Sequence, residues 1–345
     1  MIPHITLIPQ GATMMPSAGH LARTGTSIAA IAILFATFAA AQEAINFKSD
    51  DYNHVEGWAK LPKGIELGYT HGVVVDSIDQ VYVFNMSKDA VMILDREGNY
   101  IDSWGEQFAD GAHGMYLHKE DDGEYLYLTD YEKHIVVKTT LDGKTIFTLG
   151  VPDNPIYDRG FKYNPTDTAV APNGDFYTCD GYGMNMVHKY DKFGRLIKSW
   201  GGKGTEPGKM DSPHGIWIDT RGSTPLVYVA DRANNRIQIF TTDGEHVRFV
   251  TNDIDYPCCF YESENEIYIP DLHSRITILD KNDELITHLG EDQTAWKKEG
   301  WPRRPMSEHK IGSFISPHGL CVDSHRDIYV AEWVPSGRLT KLVRV

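Results

Sequence analysis

The sequence predicts an all-β chain folded as a six-bladed β-propeller. Three observations predict it: one phrase recurs six times, every copy alternates apolar and polar residues at strand periodicity, and the last copy ends one strand short of the others.

The chain opens differently. Residues 1–41 contain no Asp or Glu, carry Arg23 as their one basic residue, and run through the small and apolar stretch Ile28–Ala41 to end in Ala39-Ala40-Ala41. A spanning helix needs about 20 apolar residues. This stretch is shorter and is followed at once by Gln42-Glu43, so residues 1–41 read as a signal peptide cleaved after Ala41, with translation from Met14 or Met15 giving a conventional short basic segment. The expectation is a secreted or periplasmic protein whose mature part is 42–345, with no membrane span in it.

The repeat is clearest in the fourth unit. There Ser212-Pro-His-Gly-Ile-Trp-Ile-Asp219 is followed by Leu226-Val-Tyr-Val-Ala-Asp231, Asn235-Arg-Ile-Gln-Ile-Phe240 and the turn Asp243-Gly-Glu. In order along the chain, the other units begin Thr70-His-Gly-Val-Val-Val-Asp76, Ala112-His-Gly-Met-Tyr-Leu117, Pro165-Thr-Asp-Thr-Ala-Val170, Pro257-Cys-Cys-Phe260 and Pro317-His-Gly-Leu-Cys-Val-Asp323. Their second strands are Val81–Phe84, Leu126–Asp130, Phe176–Asp180, Ile267–Asp271 and Ile328–Glu332. Each unit holds about four short strands, and one such sheet cannot cover its own two apolar faces without neighbours stacked around a ring. The sixth unit has three strands before Val345, so Val55–Leu61 is expected to supply its outer strand and close the ring. No helix is predicted in 42–345. Insertions at Val151–Tyr163 and Asp292–Gly312, rich in Pro, Trp and Tyr, are expected to cover one face in part.

Composition narrows the partners. Formal charge is −15, with 48 acidic against 33 basic residues and no basic cluster, which excludes nucleic acid. Cys179, Cys258, Cys259 and Cys321 show no disulfide framework and read as small buried residues.

In a repeat, whatever recurs in every unit serves the architecture, and function shows as departure. The acids at 130, 180, 231, 271 and 332 end the second strand of five units and read as acceptors for the following turn. The first residues of the innermost strand face the central channel: His71, His113, Thr166, His214, Cys258 and His318 in units one to six. Units two, four and six alternate, so His113, His214 and His318 converge from directions about 120° apart. Three imidazoles with one position left open is the arrangement of a catalytic zinc site. A blade preference for His after Pro is the structural alternative. His71 is a further candidate, as fourth ligand, as donor behind the ligands or as proton carrier. His273, in Asp271-Leu-His-Ser274, reads as a surface residue.

The assembled residues resemble the peptidyl-alpha-hydroxyglycine alpha-amidating lyases, zinc-dependent propellers of NHL repeats that complete peptide C-terminal amidation. The likeness is loose over all six units and densest over Asn164–Phe240, through Pro165-Thr-Asp, Cys179-Asp-Gly-Tyr182, Pro213-His214-Gly, Val229-Ala-Asp-Arg232 and Arg236-Ile-Gln238. It implies zinc on His113, His214 and His318, an active-site tyrosine at Tyr182 and an active-site arginine at Arg232. The family's other substrate-binding arginine has no counterpart near Phe84-Asn-Met86. The methionine before its last zinc histidine is Ser316 here, and its disulfide cysteines are not reproduced.

The resulting expectation is a zinc-dependent lyase with one Zn2+ per chain, and a structural Ca2+ as a further ion, cleaving a C–N or C–O bond at an oxygen-bearing carbon of a small polar substrate. Tyr182 would take or relay a proton, and Arg232 would hold the developing anion. The alternatives are a non-enzymatic NHL propeller that binds a protein or glycan on its top face, and a metal-dependent hydrolase or lactonase. A calcium lactonase is disfavoured because calcium takes oxygen ligands and this centre offers imidazoles.

Overall fold

The computed structural model describes residues 51–345 apart from Glu56 and Ile311, so the predicted signal peptide lies outside the described residues. The strands form six antiparallel four-stranded sheets. The innermost strands of blades one to four are β2 (Thr70–Val75), β6 (Ala112–Glu120), β10 (Asp167–Val170) and β14 (Pro213–Asp219); those of blades five and six are β18 (Tyr261–Ser263) and β22 (Pro317–Val322). The helical segments among the described residues are short 3-10 turns such as Tyr157–Arg159 and Arg232–Asn234.

Blade six is completed as expected from the N-terminal side, with a shifted boundary. The closing strand is β1 (Tyr52–Val55), paired antiparallel with β24 (Arg338–Arg344), rather than Val55–Leu61. The apolar residues that suggested the later boundary do something else. Trp58 is buried between blades six and one, against Val81, Val83 and Tyr329, and its indole N–H donates to the Arg96 carbonyl at 2.9 Å.

The apolar core lies between blades rather than within them. Tyr82, Ile93, Leu126 and Val137 join blades one and two; Tyr177, Val187, Ile216 and Val229 join three and four; Tyr268, Ile278, Leu320 and Val330 join five and six. Further clusters join two to three, four to five and six to one. A single blade would therefore expose both of its apolar faces, and the ring is the unit that folds.

The blade-end acids accept from the following turn, as their repetition suggested, and also from the segment before the innermost strand. Asp180 accepts the Asn164 N–H at 2.6 Å and the Met184 N–H at 2.7 Å, Asp231 accepts the Asp211 N–H at 2.7 Å, and Glu332 accepts the Ile315 N–H at 2.7 Å. Blade one uses an amide at the same place, Asn85, whose Oδ1 accepts the Gly68 N–H at 3.0 Å. Apart from the Met184 bond, each of these contacts pins the segment that leads into an innermost strand. They fix where the channel residues begin.

Candidate metal and substrate site

His71, His113, His214 and His318 each stand at a register shift in their innermost strand, a bulge that turns the side chain toward the axis. All four are buried. Their rings meet: centroids lie 4.7 Å apart for His113–His214 and for His214–His318, 5.0 Å for His113–His318, and 4.8 and 4.7 Å from His71 to His113 and His318. The structure thus brings together the three alternate-blade histidines and adds His71 to them.

The His-Gly pair has a physical reason at each place. His113 Nδ1 lies 2.7 Å from the Thr166 carbonyl, His214 Nδ1 2.8 Å from the Cys258 carbonyl, and His318 Nδ1 3.2 Å from the His71 carbonyl. Each carbonyl belongs to the channel residue of the next blade. A carbonyl only accepts, so Nδ1 carries the proton and donates it. The following glycine makes room for that carbonyl: a Cβ at Gly114, Gly215 or Gly319 would stand 2.4, 2.4 or 2.2 Å from the same oxygen. His71 makes no such bond, and its Nδ1 is buried without a partner among the described residues.

Burial pushes all four imidazoles far below their ordinary value, His71 to about 3; the Arg232 charge adds to the effect in each, and neighbouring imidazoles add to it at His113, His214 and His318. They are neutral at pH 7. With Nδ1–H donated outward, His113, His214 and His318 keep their Nε2 lone pairs for the interior.

Tyr182 completes the centre. Its ring edge is open to the face, 38% exposed. Its hydroxyl is enclosed, 3.0 Å from both His113 Nε2 and His214 Nε2, and it accepts from Arg232 Nη1 at 3.3 Å. One phenolic proton cannot serve two lone pairs, so one imidazole nitrogen faces an oxygen lone pair. A cation at the nitrogens removes that conflict, and the donor set fits zinc. Ligand atoms of His71, His113 and His318 lie within 4.8 Å of one another, as do those of His214, Cys258 and His318. Neither group contains a carboxylate, so neither offers the oxygen shell that calcium takes.

Arg232 is buried and has no acidic partner among the described residues. Among the described residues Arg232 pairs with no blade-end carboxylate, because Asp231 is held by Arg236 at 2.6 Å. Arg232 Nη2 donates to Ser212 Oγ at 3.1 Å, and its Nε has no partner among the described residues. An uncompensated buried guanidinium beside neutral imidazoles is a place for an anion.

The rest of the wall comes from residues that follow the blade-end acids. Tyr131, after Asp130, meets the His113 and Tyr182 rings at 5.9 and 5.8 Å. His273 is not a plain surface residue: it is stacked between Trp296 at 4.1 Å and Tyr256 at 4.8 Å, with Nδ1 2.8 Å from an Asp255 oxygen. Tyr256 and Tyr182 in turn sandwich the Arg232 guanidinium at 5.3 and 5.4 Å. A ladder of flat groups thus runs from the second insertion, through Trp296, to the histidines. The first insertion is anchored by Tyr157, whose hydroxyl donates to Asp180 at 2.6 Å, two residues before Tyr182. Sequence reasoning missed Tyr131, Tyr256 and the participation of Cys258. For Tyr131 the usable signal was position, since like Tyr182 and Arg232 it follows a blade-end acid by one or two residues.

Below the histidines a cavity of about 240 Å³ follows the innermost strands, lined by Asp167, Tyr116, Trp217 and Cys259 among others. Among the described residues no helix is long and apolar enough to cross a membrane.

No protein-family model matches the chain. Among curated proteins it is similar to NHL repeat-containing protein 3 of Homo sapiens, 29% identical over 203 residues that span 54% of this chain and 56% of that protein. It is also similar to a probable peptidyl-alpha-hydroxyglycine alpha-amidating lyase of Caenorhabditis elegans, 31% identical over 161 residues, 45% of this chain and 44% of that protein. The chain spans about half the length of these relatives. Among solved structures a streptogramin B lyase superposes with a TM-score of 0.57 at 13% identity, covering 86% of this chain and 99% of that one. A gluconolactonase from Xanthomonas campestris does so with 0.56 at 11%, covering 81% and 87%. These last two likenesses show the fold. The chain is a six-bladed β-propeller with homologues among NHL repeat-containing proteins and amidating lyases.

Proposed function

We propose that the chain is a zinc-dependent lyase that breaks a C–N or C–O bond at an oxygen-bearing carbon of a small substrate carrying an anionic group. The observation that carries this reading is the set of inward imidazole lone pairs, each held by a next-blade carbonyl, beside the unpaired guanidinium of Arg232. Similarity to amidating lyases supports it. In this reading residues 1–41 are an export leader and the protein works in the periplasm or outside the cell.

His113, His214 and His318 would hold the ion, with His71 beside them. When bound, zinc supplies Lewis acidity that lowers the pKa of a substrate hydroxyl. Arg232 binds the anionic group and fixes the substrate against the histidines. Tyr182 lies where that hydroxyl proton must go. Burial raises its phenol above the ordinary value while Arg232 pulls the other way, so the hydroxyl carries a proton at neutral pH and acts as a relay. In the bond-breaking step the O–H electrons become the carbonyl, the C–N or C–O pair leaves with the departing atom, and a proton from the relay neutralises it.

Two measurements test the reading. Metal analysis should find zinc in the wild type and its loss in His214→Ala. An N-acyl α-hydroxyglycine should then be converted to amide and aldehyde acid, with Arg232→Ala raising KM for the carboxylate substrate by about 10-fold or more. A wild type that stays metal-free after incubation with zinc sinks the proposal and favours a binding propeller, which similarity to NHL repeat-containing protein 3 also fits.

A further inference from the structure

Blade five departs from the others at the position that matters. Where blades one, two, four and six place an imidazole, it places Cys258, fully buried, with its own carbonyl accepting the His214 Nδ1–H at 2.8 Å. Its sulfur forms a group with His214 and His318 whose ligand atoms lie within 4.8 Å of one another, as do those of His71, His113 and His318. On one tetrahedral ion, Zn–N of about 2.0–2.1 Å and Zn–S of about 2.3 Å put such atoms roughly 3.3–3.8 Å apart. Modest side-chain closure is therefore enough.

A buried cation stands beside the sulfur. Arg232, which lacks a carboxylate partner among the described residues, lies within hydrogen-bonding reach of the thiol. A thiolate there would be stabilised by that charge, and Arg232 Nε still has no partner among the described residues. Without an ion, burial pushes the thiol up to about 12, so sulfur stays protonated until a metal displaces the proton.

We infer that Cys258 is a metal ligand, so that the ion rests in a mixed nitrogen and sulfur site of His214, His318 and the Cys258 thiolate, within reach of His71 and His113. The inference rests on the metal-site reading above and changes its third ligand from His113 to Cys258. On binding, the S–H bond gives its electron pair to the metal and its proton to solvent. The thiolate biases the site toward thiophilic ions such as zinc and cobalt and against magnesium and calcium.

The test is cobalt substitution of the full chain after chelator treatment, read by absorption. The expected result is ligand-field bands in the visible together with a thiolate-to-cobalt charge-transfer band in the near ultraviolet. Cys258→Ser should remove the charge-transfer band, keep the ligand-field bands and weaken zinc binding by at least about 10-fold. Cys259→Ala should leave all of it intact. Ligand-field bands without charge transfer in the wild type would overturn the inference while leaving a histidine site standing, and this reading does not depend on any variant folding. A charge-transfer band that survives Cys258→Ser would overturn it in favour of another thiol. Failure of the wild type to take up cobalt or zinc would overturn both the inference and the metal site beneath it.

Discussion

Tyr182 shares one proton between two imidazole nitrogens, which makes it the side chain whose role separates most cleanly from folding. Tyr182→Phe is expected to retain zinc, since the histidine orientation is set by next-blade carbonyls, while kcat falls about 10²–10⁴-fold, the usual worth of a positioned proton carrier. Metal content and turnover on the same preparation check this. Asp167 makes a second residue-scale prediction. Burial in the channel raises its carboxyl to about 7, against about 3.9 in an unfolded chain. The folded state therefore holds a proton that the unfolded state has released, and the stabilising contribution is present below about pH 4 and lost as pH rises through about 7. Asp167→Asn should remove that loss. Its Tm relative to wild type should be higher at pH 7.5 than at pH 4.5, and a difference that does not change with pH would show that Asp167 is ionised in the fold.

Between residue and ring, the recurring element is a bulged inner strand whose His-Gly pair meets the backbone of its neighbour. Gly215→Ala is expected to drive the Cys258 carbonyl away from His214, costing about 1–3 kcal/mol as other overpacked sites do. It should also lower zinc affinity, so a urea titration and a metal titration should move together. This element was half legible in the sequence. His113, His214 and His318 stand out because alternate units repeat them at a channel position; the bulge that turns them to the axis was not legible. The reason for the glycine was not legible, because it depends on how closely two blades approach, which no single phrase contains. Cys258 was missed for a related reason. Its place in the channel row was legible, but a cysteine there reads as one more small buried residue until the fold sets its sulfur beside His214 and His318. His273 was misjudged because its partners Trp296 and Tyr256 are supplied by segments outside its own strand.

For the molecule as a whole, the repeat count and the ring followed from the sequence because every blade solves the same packing problem with the same phrase. The closing strand was placed a few residues late because Trp58 and Leu61 mimic strand alternation while serving the seam between blades six and one. Ring closure should be worth a measurable share of stability. A chain lacking residues 1–56 loses the β1–β24 pairing and the burial of Tyr52, about 1.5–3 kcal/mol for a large side chain, and its Tm should drop by roughly 3–12 °C. An unchanged Tm would mean that the three remaining strands hold blade six by themselves.

That seam has a further consequence. The Val345 N–H donates to the Asp51 carbonyl at 2.8 Å, so the two ends of the ring already touch. A short peptide could join them, and the chain could be reopened in an exposed connection such as the one between Asp219 and Leu226, which lies at the other end of the strands from the histidines. Such a circular permutant would start and end inside blade four while keeping every blade's neighbours the same. If it folds and binds metal as the parent does, the order of the blades along the gene is incidental to the site, and only their order around the axis matters.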